Sequence, residues 1–194
     1  SYSDVRTIDI DSLTSYISSV YTLGFTPSTA SAIRGIKVEF CTQPTGTCTA
    51  PADFSSSSSA LTNKTGWTSA SNFSVNSYAT NDCSGHLSNT ICLRRNSSTV
   101  EAVAAKTLEV SYIISPSVPG TFFARISLYS ANSFTTATKF DTGVTASAIN
   151  DLLTVSARVA ELLYFCVANT TVNDSSAPLG DCAGVTGTDG SSID

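Results

Sequence analysis

Hydrophobic and polar residues alternate along much of this chain with a period of two. Tyr21, Leu23 and Phe25 alternate with Thr22, Gly24 and Thr26, and Ile36, Val38 and Phe40 alternate with Lys37 and Glu39. Leu108, Val110, Tyr112 and Ile114 alternate with Glu109, Ser111 and Ile113; Phe122, Ala124, Ile126 and Leu128 alternate with Phe123, Arg125 and Ser127. Successive side chains of a strand point to opposite faces, so each run predicts a half-buried strand. Turn signals separate the runs at Thr26-Pro27-Ser28, at Pro116-Ser117-Val118-Pro119-Gly120 and at Asp141-Thr142-Gly143. Short strands joined by Gly, Pro, Ser and Thr loops predict an all-β, antiparallel Ig-like or Greek-key sandwich. Val38, Phe40, Val110, Tyr112, Ile126 and Leu128 are its expected core.

Three stretches carry weaker signals. The serines from Ser55 to Ser59 read as an exposed loop, since serines bury no apolar area. Phe73 with Val75, and the run from Leu87 to Leu93, read as short strands. From Asn150 to Leu163 a strand period (Leu153, Val155, Ala157, Val159) competes with a helical one (Leu152, Val155, Val159, Leu163). Strand is favoured because Val and Thr recur there and the rest of the chain is all-β. Leu162-Leu163-Tyr164-Phe165-Cys166 also resembles Ile36-Lys37-Val38-Glu39-Phe40-Cys41, as an internal repeat would. The expected organisation is therefore an N-terminal extension at 1–18, a sandwich at 19–160, and a C-terminal β extension or partial second unit at 161–194.

Composition narrows the class of protein. Among 194 residues only 13% are charged, the net charge is −5, and 41% are hydrophobic. That lacks the clustered Lys and Arg by which nucleic-acid binders neutralise phosphates, and it is too apolar for a charge-driven disordered tail. No run reaches the ~18 apolar residues of a membrane span. Ser and Thr supply about 60 residues, well above the usual globular share. The absence of Met and the start at Ser1-Tyr2 read as a mature product from which a signal peptide has been removed.

The six cysteines, Cys41, Cys48, Cys83, Cys92, Cys166 and Cys182, suggest disulfides and an oxidising compartment. Sequence alone leaves the connectivity open, and near-neighbour pairing (41–48, 83–92, 166–182) is the simplest arrangement. Pro44 and Gly46 favour a turn inside the first pair. Zinc is disfavoured because the gaps exceed the usual ligand spacing and His86 is the only histidine.

No catalytic constellation emerges, so no enzyme activity and no cofactor are expected. His86, beside Asp82 and Ser84, has no nucleophile elbow to serve and reads as a solvated loop residue. Of four glutamates, Glu39 and Glu109 alternate outward, Glu101 falls outside a clear pattern, and Glu161 reads as an edge or salt-bridge residue near Arg158. Lys37, Lys106 and Lys139 are the lysines weighed for an intramolecular isopeptide crosslink, which is disfavoured because lysine is rarely buried. Asp181, Asp189 and Asp194, with Asn173 and Asp174, match no EF-hand spacing. Trp67, Phe73 and Tyr78 are the candidate aromatic platform for surface glycans, although a single Trp in a sandwich is more often core. Sequons stand at Asn63, Asn72, Asn96, Asn169 and Asn173.

Arg34-Gly35-Ile36-Lys37-Val38-Glu39-Phe40-Cys41 with Cys48 resembles the secreted Ig-like β-sandwich surface proteins of small-genome candidate-phylum (Patescibacteria-type) bacteria. So do Thr121-Phe122-Phe123-Ala124-Arg125-Ile126, Asp141-Thr142-Gly143-Val144-Thr145-Ala146, and the run from Val155 to Cys166. The resemblance implies an Ig-like fold, a cell-surface or extracellular location, and a chain that continues past Asp194. It implies no activity.

The reading that results is an extracellular structural subunit of a pilus-like filament that polymerises with copies of itself. Val5, Ile8, Ile10 and Leu13 form its candidate donor strand, because a free β-branched terminus can complete a neighbour's sheet edge. The alternatives are a first strand paired within its own chain, and a monomeric adhesin or carbohydrate-binding module.

Overall fold

The computed structural model describes residues 6–75, 83 and 88–150. Among them run eleven strands: β1 (Arg6–Ile10), β2 (Ser18–Phe25), β3 (Ser31–Ala32), β4 (Gly35–Cys41), β5 (Ala60–Thr65), β6 (Ser74–Val75), β7 (Thr90–Arg94), β8 (Val100–Glu101), β9 (Lys106–Ile114), β10 (Gly120–Tyr129) and β11 (Lys139–Ile149). One sheet has the order β1-β2-β9-β5, a second has β11-β10-β4-β7-β6, and β3 pairs with β8 in a small ribbon. Every pairing between these strands is antiparallel. The fold is an antiparallel Ig-like β-sandwich. The chain divides into two compact units, Ser1–Leu152 and Leu153–Asp194, and the second lies outside the described residues. The repeat from Leu162 and the 161–194 extension fall there, and of the strand expected from Asn150 to Leu163 only Asn150 is among the described residues.

The period-two runs supply the core. Tyr21, Leu23, Phe25, Leu108 and Val110 face inward from one sheet, and Ile36, Val38, Phe40, Ile91, Leu93, Phe122, Ile126 and Leu128 from the other. Complete burial of a side chain of this size is worth about 1.5–3 kcal/mol. Tyr21, Phe40, Phe54 and Phe122 form an aromatic cluster, with the Phe40 and Phe54 rings 4.6 Å apart.

Tyr112 corrects the expected core: it is 61% exposed, and Ile113 is buried in its place. The register between β2 and β9 shifts at Ser19/Tyr21, so β9 carries a bulge there. Tyr112 has φ 63°, and the extra residue turns it to the outside. Strict alternation could not anticipate a bulge, which moves every later side chain to the opposite face.

Two loop expectations also change. Asp141-Thr142-Gly143, read as a turn, lies inside β11. Within the serine run, Ser56 is fully buried and its hydroxyl donates to the Ser88 carbonyl at 2.8 Å and the Thr90 carbonyl at 3.1 Å. Polar residues are admitted to a core when such bonds satisfy them.

Candidate functional site

The N-terminal segment pairs within its own chain, as the edge strand of its sheet, where sequence left donation to a neighbour and pairing at home both open. β1 pairs with β2 from Arg6↔Phe25 to Ile10↔Tyr21. Ile10 is buried and Ile8 packs against the core, so the two candidate donor residues in β1 fill a pocket of their own chain. Leu13, beyond the strand, is exposed, and Val5 lies outside the described residues. An electrostatic tie reinforces β1. Arg6 Nη2 lies 3.1 Å from Asp141 Oδ1 in β11, with both side chains almost fully buried. Arg6 Nη2 thus faces Asp141 at hydrogen-bond distance, while Arg6 Nε and Nη1 have no hydrogen-bond partner among the described residues. Burial lowers the Arg6 pKa, and Asp141 opposes that shift. Asp141 Oδ2 also accepts the Ser28 N–H at 3.0 Å. Gly143 makes room for this arrangement, since a Cβ there would collide with the Arg6 side chain.

A second buried charge cluster sits near Trp67. Glu101, Arg95 and Lys106 have fully buried side chains. Glu101 Oε1 accepts from Arg95 Nη2 at 2.6 Å and from the Ser69 N–H at 3.1 Å. Its Oε2 accepts from the Thr68 N–H at 2.8 Å and lies 3.2 Å from Lys106 Nζ. Burial alone would raise the carboxyl pKa. The Thr68 N–H, Arg95, the Ser69 N–H and Lys106 together outweigh burial and hold it at about 2. The cations are themselves satisfied: Arg95 Nε donates to the Ile33 carbonyl and Lys106 Nζ to the Gly66 carbonyl, each at 2.9 Å. Arg95 also lies over the rings of Trp67 and Phe73, 4.8 and 4.5 Å from their centroids.

This cluster decides several sequence expectations. Glu101, which fits no strand period, is the hub of the buried network, and Lys106 is buried beside it. Lys37 stays on the outer face, paired with Glu39 at 3.0 Å. Lys106 is buried, against the expectation that lysine stays exposed, and its Nζ is engaged by the Gly66 carbonyl and Glu101. The Glu101–Lys106 contact is thus an ion pair by design of its surroundings. Trp67 packs on Phe25, and Trp67 and Phe73 pack on each other and under Arg95, with Phe73 buried, so together they form no exposed sugar platform; Tyr78 lies outside the described residues. An open cleft of about 240 Å³ is lined by Leu61, Thr62, Asn63, Lys64, Asn72 and Phe73, and it lacks the deep apolar wall of a small-molecule site.

Cys41–Cys48 and Cys83–Cys92 are disulfides. Arg125 clamps the loop within the first, donating to the Gly46 carbonyl at 2.7 Å and the Gln43 carbonyl at 2.8 Å. Cys166 and Cys182, His86, Glu161, and the aspartates weighed for calcium fall outside the described residues. Among the described residues no group of three His, Cys, Asp or Glu side chains could hold a metal, and no helix is long and apolar enough to cross a membrane.

What remains is the surface, and its sheet edges differ. An open edge presents unpaired N–H and C=O groups, which natural proteins blunt with short strands, charges or bulges. β6 has two residues; β5 carries Lys64 and a bulge at Leu61/Asn63; β1 has five residues, including Arg6 and Asp9. β11 is different: it is eleven residues long, and β10 is its one hydrogen-bonded neighbour strand among the described residues. From Thr142 to Ala148 it carries no charge, no Pro and no register shift.

Fold and site together define a disulfide-stapled Ig-like β-sandwich module. No protein-family model matches the chain, and no curated protein matches it in sequence. Among solved structures it is similar to BslA, described as a bacterial hydrophobin, at 13% identity over 76% of this chain and 97% of that one, TM-score 0.42. It is similar to a Nocardia farcinica protein described as having an immunoglobulin-like fold, at 15% identity over 80% and 90%, TM-score 0.35. The human F-spondin reeler domain gives 9% identity over 76% and 92%, TM-score 0.36.

Proposed function

We propose that this chain is an extracellular structural subunit that self-associates through its surface, in surface proteins of the kind its sequence resembles. The observation that carries the reading is β11, a long sheet edge uncharged from Thr142 to Ala148, where the other edges of the two larger sheets are, among the described residues, short, charged or bulged. Two further features support it. The buried ionisable groups at Glu101 and Asp141 are held in ion pairs that join strands, as in a scaffold. The disulfides suit an oxidising compartment, where they form and persist. With 13% charged residues the surface offers little electrostatic resistance to association.

In this reading the interface is a sheet edge of the folded sandwich, and β1 stays at home. Sedimentation velocity of the full oxidised chain over a hundredfold concentration range tests it. Species larger than a monomer, growing with concentration, are expected. A monomer throughout, with negative stain showing no assemblies, would overturn it.

A further inference from the structure

The sandwich has two unlike sides. β1 and β11 are end strands of their sheets, and Arg6 and Asp141 join them. β5 and β6 are the opposite end strands. The open cleft lies on their side, lined by Leu61 to Lys64 of β5 and by Asn72 and Phe73, which lead into β6. Three sequons lie wholly among the described residues: Asn63-Lys64-Thr65, Asn72-Phe73-Ser74 and Asn96-Ser97-Ser98. Asn63 and Asn72 line that one cleft, and neither β1 nor β11 carries a sequon. We infer that Asn63 and Asn72 are acceptor sites for N-linked glycans, which clothe the β5/β6 side of the sandwich.

Local structure leaves both side chains open to modification. Asn63 is exposed on an edge strand, at the register shift between Leu61 and Asn63. Asparagine is depleted from strands, and this one does little for the fold. Its Oδ1 accepts only the Lys64 N–H, at 2.8 Å, and its Nδ2 donates to nothing among the described residues. Asn72 is exposed, and no hydrogen bond holds its side chain among the described residues. The backbone beneath it is nevertheless fixed. Lys64 Nζ donates to the Ser69 carbonyl at 2.9 Å and the Ser71 carbonyl at 3.0 Å, tying the segment before Asn72 to β5. Thr65 and Ser74, the hydroxyl residues of the two sequons, are exposed as well. Asn96 differs and is left out: its Oδ1 accepts from Asn132 Nδ2 at 2.8 Å and from Arg34 Nη2 at 3.4 Å, so it joins loops.

The glycosyl donor is an oligosaccharide carried on a lipid pyrophosphate. The asparagine Nδ2 attacks C1 of its first sugar. The N–C1 bond forms as the C1–O bond breaks, the lipid pyrophosphate leaves with the electron pair, and the amide gives up one proton. Lys64 and Phe73 fill the middle positions, where only Pro is excluded. The disulfides suit the same compartment, since secreted chains meet oxidising conditions there. Bulky hydrated sugars on Asn63 would screen the outward N–H and C=O groups of β5 from strand addition. They would also hydrate a chain in which only 13% of residues are charged.

The test uses the full chain, secreted with its disulfides formed from a eukaryotic cell line behind a cleavable signal peptide. Release with peptide N-glycosidase converts each carrier asparagine to aspartate, which peptide mass mapping reads at the residue. Aspartate is expected at both 63 and 72. N63Q and N72Q should each lose one glycan from the intact mass, and N63Q/N72Q should lose two. T65A and S74A keep the asparagines and should give the same losses, with wild-type near-ultraviolet circular dichroism. An asparagine that survives release unchanged at either position, or an intact mass in T65A or S74A that keeps the glycan, overturns the assignment.

Discussion

Arg6 in β1 reaches across the sandwich to Asp141 in β11, with Nη2 and Oδ1 3.1 Å apart. The two strands belong to different sheets, so this ion pair joins the sheets along one side of the sandwich. Arg6 also stacks near Phe25, 5.6 Å from its ring centroid.

Breaking a buried pair by removing one charge leaves the other uncompensated, at a cost of about 3–5 kcal/mol. D141N is therefore expected to lower stability by about 3 kcal/mol in denaturant unfolding. Hydrogen exchange should quicken first in β1 and at the Ser28 amide, which Asp141 also holds. Wild-type protection in β1 would show that the pair is not what secures the strand.

Glu101 sets an acid limit. Its carboxyl has a folded pKa of about 2 against an ordinary value of 4.5. A depressed folded pKa contributes stability that is fully present above the ordinary value and is lost as pH falls toward the folded one. The contribution is on the order of 3 kcal/mol, from about 1.4 kcal/mol per tenfold change in proton affinity. Denaturant midpoints should hold steady from pH 7 to 5 and then fall toward pH 2. In E101Q, which leaves Arg95 and Lys106 facing a neutral amide, stability at pH 7 should drop by about 3 kcal/mol. The part of the acid slope due to this residue should vanish with it. An unchanged acid slope would contradict the assignment.

Tyr21 sets the alkaline limit. Burial pushes its hydroxyl up from 10 to about 12, although the Ser115 hydroxyl 3.0 Å away partly offsets the shift. A raised folded pKa contributes stability below the ordinary value that disappears as pH rises through the folded one. Stability should decline between pH 10 and 12, and Y21F should be less sensitive there. Tyrosinate absorbance titrating fully near pH 10 in the folded chain would exclude this.

Gly66 has φ 76°, a backbone region that residues with a Cβ enter at a cost of about 1–2 kcal/mol. A Cβ there would also collide with the Ala105 carbonyl oxygen. Its own carbonyl anchors Lys106 Nζ, so a shift of this turn disturbs the Glu101 cluster. G66A should lose about 2 kcal/mol or more, combining backbone strain with the displaced anchor. A loss below about 0.5 kcal/mol, the range of ordinary surface substitutions, would show that the turn relaxes freely.

The sequence by itself determined the architecture. Alternation is a local property of the chain, and it marks the inward faces of β2, β4 and β10, with Tyr21, Val38 and Ile126 buried as their period requires. Short-range cysteine pairing was legible for the same reason, since a turn holding Pro44 and Gly46 brings Cys41 and Cys48 together. Tertiary structure alone decided what depends on residues far apart in sequence. Glu101 belongs to no period because it serves donors from Thr68, Ser69, Arg95 and Lys106, which three separate stretches of chain deliver to it. Asp141 sits in a turn-like tripeptide that becomes mid-strand once Arg6 lies over Gly143. The bulge that exposes Tyr112 arises from pairing β9 with β2. Whether β1 is donated or kept was likewise open from sequence, because a strand's own preference for extension is indifferent to which chain supplies its partner. The pocket for Ile10 and the buried partner for Arg6 exist only after the two sheets have packed.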